Sequence, residues 1–135
     1  MGAGSQPVGL HHLELWVPDL AAAIESWGWL LDQLGWSVFQ DWPAGRSWSC
    51  EASYLVIEQS PALSATTHER LRPGLNHIAL HAGDRSRVDQ LAATAPEHGW
   101  SLLFPELHPY AGGPQHYAAY LEDEQGYEVE LVAHD

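Results

Sequence analysis

Apolar and polar residues alternate where the chain first shows a pattern. From Leu10 to Val17, Leu13, Leu15 and Val17 fall on one side and His12, Glu14 and Trp16 on the other, the period of a half-buried strand. Asp19 then supplies a helix N-cap. Leu20, Ile24, Trp27, Leu31 and Leu34 follow at helical spacing, and Gly35 is a natural stop. Ser37 to Asp41, Ser47 to Ser53 and Tyr54 to Gln59 read as three short strands in a meander, with a turn at Pro43 to Gly45. Ser60 to Pro73 is polar, aperiodic and bracketed by Pro61 and Pro73, so it is read as a linker.

The same order then returns. Leu75 to Ala82 is a strand with His77, Ala79 and His81 on one face, and Asp84 caps a shorter helix with Val88, Leu91, Ala92 and Ala95 on its apolar side. Trp100 to Phe104, Tyr117 to Glu122 and Glu128 to Ala133 are the remaining strands, with a long loop from Pro105 to Gln115. The repeat is explicit in Gly9 and Gly74, His12 and His77, and Asp19 and Asp84, each pair 65 apart (77 − 12). Gly35-Trp36 returns as Gly99-Trp100 at an offset of 64 (99 − 35). Each copy also ends in an apolar strand carrying a glutamate, Glu58 and Glu130, which are 72 apart (130 − 58), the difference being assigned to the long loop. The expected fold class is α+β: two tandem β-α-β-β-β modules forming a cupped mixed sheet with helices on the outside. One domain over 8–133 is expected, with module one at 8–60, a linker at 61–73 and module two at 74–133.

At 135 residues the chain is long enough for one domain with a real core. Five cationic against 18 acidic side chains give a formal charge of −13, and all five cations are arginine. Such a surface repels phosphate backbones and anionic lipid, so neither nucleic acid nor membrane is an expected partner. Cys50 is the only cysteine, which excludes an internal disulfide and a thiolate zinc cluster and fits a buried thiol. No stretch approaches the ~20 apolar residues of a membrane span. Met1 to Gln6 lacks the basic start and apolar run of a signal peptide, so cytoplasm is the expected compartment.

His12 and His77 lie opposite the helix-packing positions of equivalent strands, so a shared cupped surface brings them toward one another. Glu58 and Glu130 sit between residues that face the helices and point into the same cup. Two imidazoles and two carboxylates form a ligand set for iron(II), manganese, nickel or zinc without thiolates. A strand glutamate among apolar residues is costly unless paired or bound to a cation. Glu14, on the face of His12, either hydrogen-bonds a ligand imidazole from behind or is solvated. His11 and His81 have no matched partner, and His68, His98, His108 and His134 fall in loops or ends.

These residues resemble the vicinal oxygen chelate superfamily, which includes glyoxalase I, extradiol dioxygenases, fosfomycin and bleomycin resistance proteins and epimerases. The resemblance rests on His12-x-x-Leu15-x-Val17-x-Asp19-Leu20, the two β-α-β-β-β copies, and Tyr120-x-x-Asp123-x-x-Gly126 followed by Glu130-Leu131, and it covers Val8 to Ala133. It implies His12, Glu58, His77 and Glu130 as metal ligands, with Glu58 and Glu130 also the catalytic carboxylates. Asp123-Glu124-Gln125-Gly126 departs from the family's Asp-Pro-Asp-Gly turn.

The resemblance implies a metal that takes two adjacent substrate oxygens and stabilises the charge developing there, with a glutamate as base. Isomerase or lyase chemistry of glyoxalase or epimerase type is the first expectation. The scarcity of cations argues against glutathione and, with no lysine, against a phosphonate. If Glu58 does not coordinate, His12, His77 and Glu130 form the two-His-one-carboxylate set of iron(II) oxygenases, with Tyr120 where extradiol enzymes often keep a tyrosine. The rival is a metal-free protein that holds a bleomycin-type cationic antibiotic in an acidic, aromatic cleft, with Trp42 and Trp48 as walls. Trp16 either lines the pocket or fills it, while Trp27 and Trp36 pack the helix. A small-molecule substrate and a homodimer are the expected partners.

Overall fold

The computed structural model describes residues 6–135, so most of the segment read for a signal peptide lies outside the described residues. The first half runs β1 (His12–Trp16), α1 (Leu20–Gln33), β2 (Ser37–Trp42), β3 (Gly45–Cys50) and β4 (Ser53–Glu58). The second runs β5 (Ile78–His81), α2 (Arg85–Thr94), a 3₁₀ turn (Ala95–His98), β6 (Trp100–Leu102), β7 (Ala118–Asp123) and β8 (Glu128–Val132). The hydrogen-bonded order is β1-β4-β3-β2 in one four-stranded sheet and β5-β8-β7-β6 in the other. In each sheet the first strand pairs parallel with the last, and the other pairs are antiparallel. This is the α+β arrangement expected, a cupped surface built from two repeats.

Local chemistry explains the boundaries of α1. The Asp19 carboxylate accepts from the Ala22 N–H at 3.2 Å, satisfying one of the free donors at the helix start. At the other end Gly35 takes φ +88°, its N–H bonds the Asp32 carbonyl at 3.1 Å, and the Trp36 N–H bonds the Leu31 carbonyl at 2.9 Å. That paired closure of the last turn needs a left-handed residue, which glycine supplies without steric cost. Ala23, Trp27, Leu30 and Leu31 are buried, joined in the core by Leu15 and Val17 of the first strand segment and by Val129 and Leu131 of β8.

The two halves are fastened through α1. Trp27 packs edge-on against Trp100 with ring centroids 5.2 Å apart, and the Trp100 indole N–H donates to the Ser26 carbonyl at 2.9 Å. The Trp27 indole donates to buried Asp123 Oδ2 at 3.0 Å. Burial pushes the Asp123 carboxyl up from its ordinary value, opposed by the N–H donors of Tyr127, Trp27 and Gln125. In the turn that departs from the family pattern, the Gln125 amide accepts from the Asp19 N–H and donates to the Asp19 carbonyl, at 2.9 and 3.0 Å. The substituted turn therefore holds the start of α1 from the other half.

Candidate functional site

The strand register determines which side chains meet. In the first sheet His12 lies beside Tyr54, Glu14 beside Val56 and Trp16 beside Glu58. In the second, Ala79 lies beside Glu130 and His81 beside Val132. The first strands are related by 65 (80 − 15), but the last strands by 74, since Leu15 pairs Ile57 while Leu80 pairs Leu131 (131 − 57). Val56 is therefore the counterpart of Glu130, and Glu58 is the counterpart of Val132. Matching Glu58 to Glu130 at 72 is corrected by two residues. A shift of two keeps a side chain on the same face of a strand, so alternation alone does not reveal it.

The open face of the second sheet gathers a polar cluster around Glu130, which is only 6% exposed. His77, one residue before β5, places Nε2 3.1 Å from Glu130 Oε1. His116, just before β7, bonds the other oxygen, Oε2, through its own Nε2. The Tyr120 side chain stands beside Glu130; burial, hydrogen bonding with Glu130 and the nearby charges of Glu130 and Glu128 push its pKa up to about 12, so it stays protonated at neutral pH. His77 is oriented from behind: its Nδ1 lies 2.6 Å from Asn76 Oδ1, and Asn76 Nδ2 donates to the Arg70 carbonyl at 3.0 Å. Arg70, from the linker, bonds Glu122 at 3.2 Å and buried Glu128 at 3.0 Å, neutralising the carboxylates next to Glu130. Phe104 stands edge-on to Tyr120 at 5.6 Å.

His116 was not singled out from the sequence. It lies one residue beyond the long loop and has no equivalent in the repeat. The available signal was Gly112-Gly113 upstream, because a Cβ at Gly112 would stand 2.6 Å from the Tyr120 hydroxyl and 2.7 Å from His116 Cδ2. Only a residue without a side chain lets the loop pass this close to both.

The first sheet brings its predicted residues together differently. His12 stacks on Tyr54, with centroids 4.8 Å apart and planes 8° from parallel, and its Nδ1 lies 2.9 Å from that of His11. Glu14 accepts from the Trp16 indole at 2.7 Å, so it does not support a ligand imidazole. Hydrogen bonding with Glu14 raises the Glu58 carboxyl above its ordinary value, and desolvation and the like charge of Glu14 add to this. Trp42 covers Gly45, next to Glu58 in the register, and Trp16 is 41% exposed. Trp48 is a correction: it is 2% exposed and lies in the core against α1 at Gly28, so it cannot wall a cleft. Of the four expected ligands, His77 and Glu130 meet, while His12 and Glu58 engage other partners.

A sequence profile of the Glyoxalase/Bleomycin resistance protein/Dioxygenase superfamily matches residues 11–120. The chain belongs to this superfamily. The uncharacterized protein YqjT of Bacillus subtilis (strain 168) is 44% identical over 126 residues, 92% of this chain and 98% of that protein. A crystal structure of a "putative glyoxalase" from Bacillus halodurans is 42% identical, with TM-score 0.88 over 93% of this chain and 95% of its own. A lactoylglutathione lyase from Agrobacterium tumefaciens, 20% identical with TM-score 0.64 over 96% of each chain, shares the fold.

Superfamily members generally use divalent metals, bind small molecules and often form dimers. As kinds of donor, the two imidazoles and the carboxylate of the Glu130 cluster suit such an ion. In the arrangement described they are bonded to one another, and among the described residues no group of three or more His, Cys, Asp or Glu is placed so that it could hold a metal ion. No helix among the described residues is long and apolar enough to cross a membrane.

Proposed function

We propose that this superfamily member is a small-molecule enzyme of glyoxalase or epimerase type, acting on a substrate with adjacent oxygens at the Glu130 cluster. The observation that carries the reading is a nearly buried carboxylate on an apolar strand, bonded at once by His77 and His116 and standing beside the Tyr120 side chain. Such a group is expensive to bury for stability alone.

Glu130 takes the proton from a carbon beside a substrate carbonyl and returns it to that carbon or its neighbour, giving isomerisation or the reverse of an addition. The imidazoles, one anchored through Asn76 and the other carried by the loop, hold the carboxylate in place during both transfers. Tyr120 keeps its proton and offers it in a hydrogen bond to Glu130 or to a substrate oxygen. Phe104 and Tyr120 offer an apolar wall that keeps water from the reacting carbon. His77 and Glu130 are the residues that would hold a divalent ion such as iron(II), manganese, nickel or zinc, and the chemistry it would supply is Lewis-acid stabilisation of charge on two adjacent oxygens.

The test is a thermal-shift screen of 2-oxo and 2-hydroxy carbonyl compounds and catechols, with and without each metal, followed by turnover on the hits. Exchange of the substrate's α-hydrogen with solvent, lost in Glu130→Gln, is the expected result. Undiminished exchange in that variant sinks the reading, and oxygen uptake with catechols replaces it with ring-cleaving dioxygenase chemistry.

A second reading has its own observation: Glu14 and Glu58 stand near each other, with Trp16 and Trp42 alongside, and form an acidic and aromatic patch on the first sheet. That chemistry suits an organic cation, so a bleomycin-type antibiotic that quenches tryptophan fluorescence in the wild type but not in Trp16→Ala supports a binding role.

A further inference from the structure

The seam between the two halves is closed differently at its two ends. At one end Tyr127, just ahead of β8 and 6% exposed, reaches across from the second half, and its hydroxyl donates to the Trp16 carbonyl of β1. His68 stacks on the Tyr127 ring with centroids 4.3 Å apart, and Asp123 accepts from the Tyr127 N–H at 2.9 Å. The register identifies the matching corner at the other end. Offsets of 65 for the first strands and 74 for the last put His81 in the place of Trp16 (81 − 65) and Ser53 in the place of Tyr127 (127 − 74). Cys50, which pairs Ser53, answers to Asp123, whose N–H bonds the Tyr127 carbonyl. Serine is too short to cross the seam, and the Ser53 hydroxyl turns to the Leu10 carbonyl of its own half at 2.7 Å. Between Ser53, Cys50 and His81 lies a cavity of about 490 Å³ with Leu34, Trp36 and Leu80 as apolar walls. It adjoins a second cavity of about 180 Å³ through Trp36, Ser53, Ala79 and Leu80.

We propose that this corner binds a small molecule carrying a neutral phenol, its ring against Trp36 and Leu80 and its hydroxyl donating to the His81 carbonyl, as Tyr127 donates to Trp16. The same backbone corner is built twice, and at the other end a tyrosine side chain fills it. The two carbonyls have the same outlook. The N–H that follows each of them, Val17 in β1 and Ala82 after β5, bonds the neighbouring strand, so Trp16 and His81 turn their backbone groups to the free edge. The larger cavity falls within the roughly 300–1,000 Å³ of small-molecule sites. Glu51, exposed at its rim, repels anions, which disfavours aryl carboxylates and phenolates. The site follows from the unequal corners and does not depend on the reading of the Glu130 cluster.

The experiment is titration of isotope-labelled protein with p-cresol, the side chain of tyrosine as a free molecule, followed by the amide and indole resonances. Saturable shifts are expected at the Trp36 indole and at the Ser53, Ala79 and His81 amides, with Trp16 and Tyr127 unmoved. Toluene, which lacks the hydroxyl, is expected to bind about tenfold more weakly. Ser53→Tyr supplies a ring from the chain itself and abolishes p-cresol binding. Ala79→Leu narrows the cavity from β5 at an exposed position and weakens binding about tenfold, which keeps the proposal testable if the tyrosine variant does not fold. No saturable shift in the wild type overturns the proposal. So do shifts confined to the Glu130 cluster, toluene binding as tightly as p-cresol, or binding that both variants leave intact. A wild-type dimer in sedimentation that folded Ser53→Tyr converts to a monomer assigns the corner to a second copy of the chain and also overturns it.

Discussion

Facing away from the helices, the first sheet presents His12, Glu14 and Trp16 on β1 with Tyr54, Val56 and Glu58 on β4, whereas the second presents Ala79 and His81 on β5 with Glu128, Glu130 and Val132 on β8. The backbone plan is shared and the chemistry is not. Where the second sheet has Glu130, the first has Val56. The register position that sets Tyr54 beside His12 belongs in the second sheet to Glu128, which Arg70 neutralises. A repeat of this kind copies strand order and helix placement, because those follow from apolar alternation and capping. It does not oblige both halves to keep functional groups. The second half also owns a loop that the first lacks, and that loop delivers His116.

The comparison breaks most visibly at the carboxylates. Glu130→Gln is expected to lower kcat/KM about 10²- to 10⁴-fold on a substrate from the screen, the range for removal of a general base, while Glu58→Gln changes it less than about threefold. Equal losses would restore the symmetric site. Next in size is Asp123→Ala, which strands the Trp27 indole N–H and the Gln125 and Tyr127 amides in the interface between the halves. Urea unfolding should show a loss of about 3 kcal/mol. Gly112→Ala sharpens the role of the loop. It is expected to cut turnover about tenfold, or about 1.4 kcal/mol, with little change in unfolding midpoint, because the new methyl displaces Tyr120 and His116 without touching the core.

A pH effect is smaller and its sign is fixed. Burial makes the folded protein hold the Asp123 proton more tightly than the unfolded chain does, so this residue's contribution to stability falls as pH rises from the ordinary aspartate value through the raised one. Asp123→Asn cannot titrate, so the stability of wild type relative to this variant should decline across that window in paired urea melts. The smallest effect belongs to the first sheet. Arg46→Ala removes an exposed ion pair with Asp41, 3.3 Å apart, and should cost less than about 0.5 kcal/mol.

Much of this was legible in one dimension. Alternation in 10–17 placed β1 and its buried face, Asp19 and Gly35 bounded α1, and the 65-residue offset announced two equivalent β-α units. Each of these signals is local, read over one strand or a few helical turns. His77 and Glu130 were legible as a pair because alternation puts both opposite the helix-packing positions, Glu130 within β8 and His77 just ahead of β5. Trp48 was not, since a tryptophan in a short strand between turns looks the same on either face until its partner Leu55 is known.

By itself, then, the sequence determined the α+β class, the duplicated strand-helix units and the family, because capping, periodicity and motif spacing are written in neighbouring residues. Only the tertiary structure decided that Glu130 answers to Val56, that His12 spends its ring on Tyr54, and that His116 reaches across to Glu130. Strand register and loop path depend on contacts between residues far apart in the chain, and a two-residue slip leaves every local pattern unchanged.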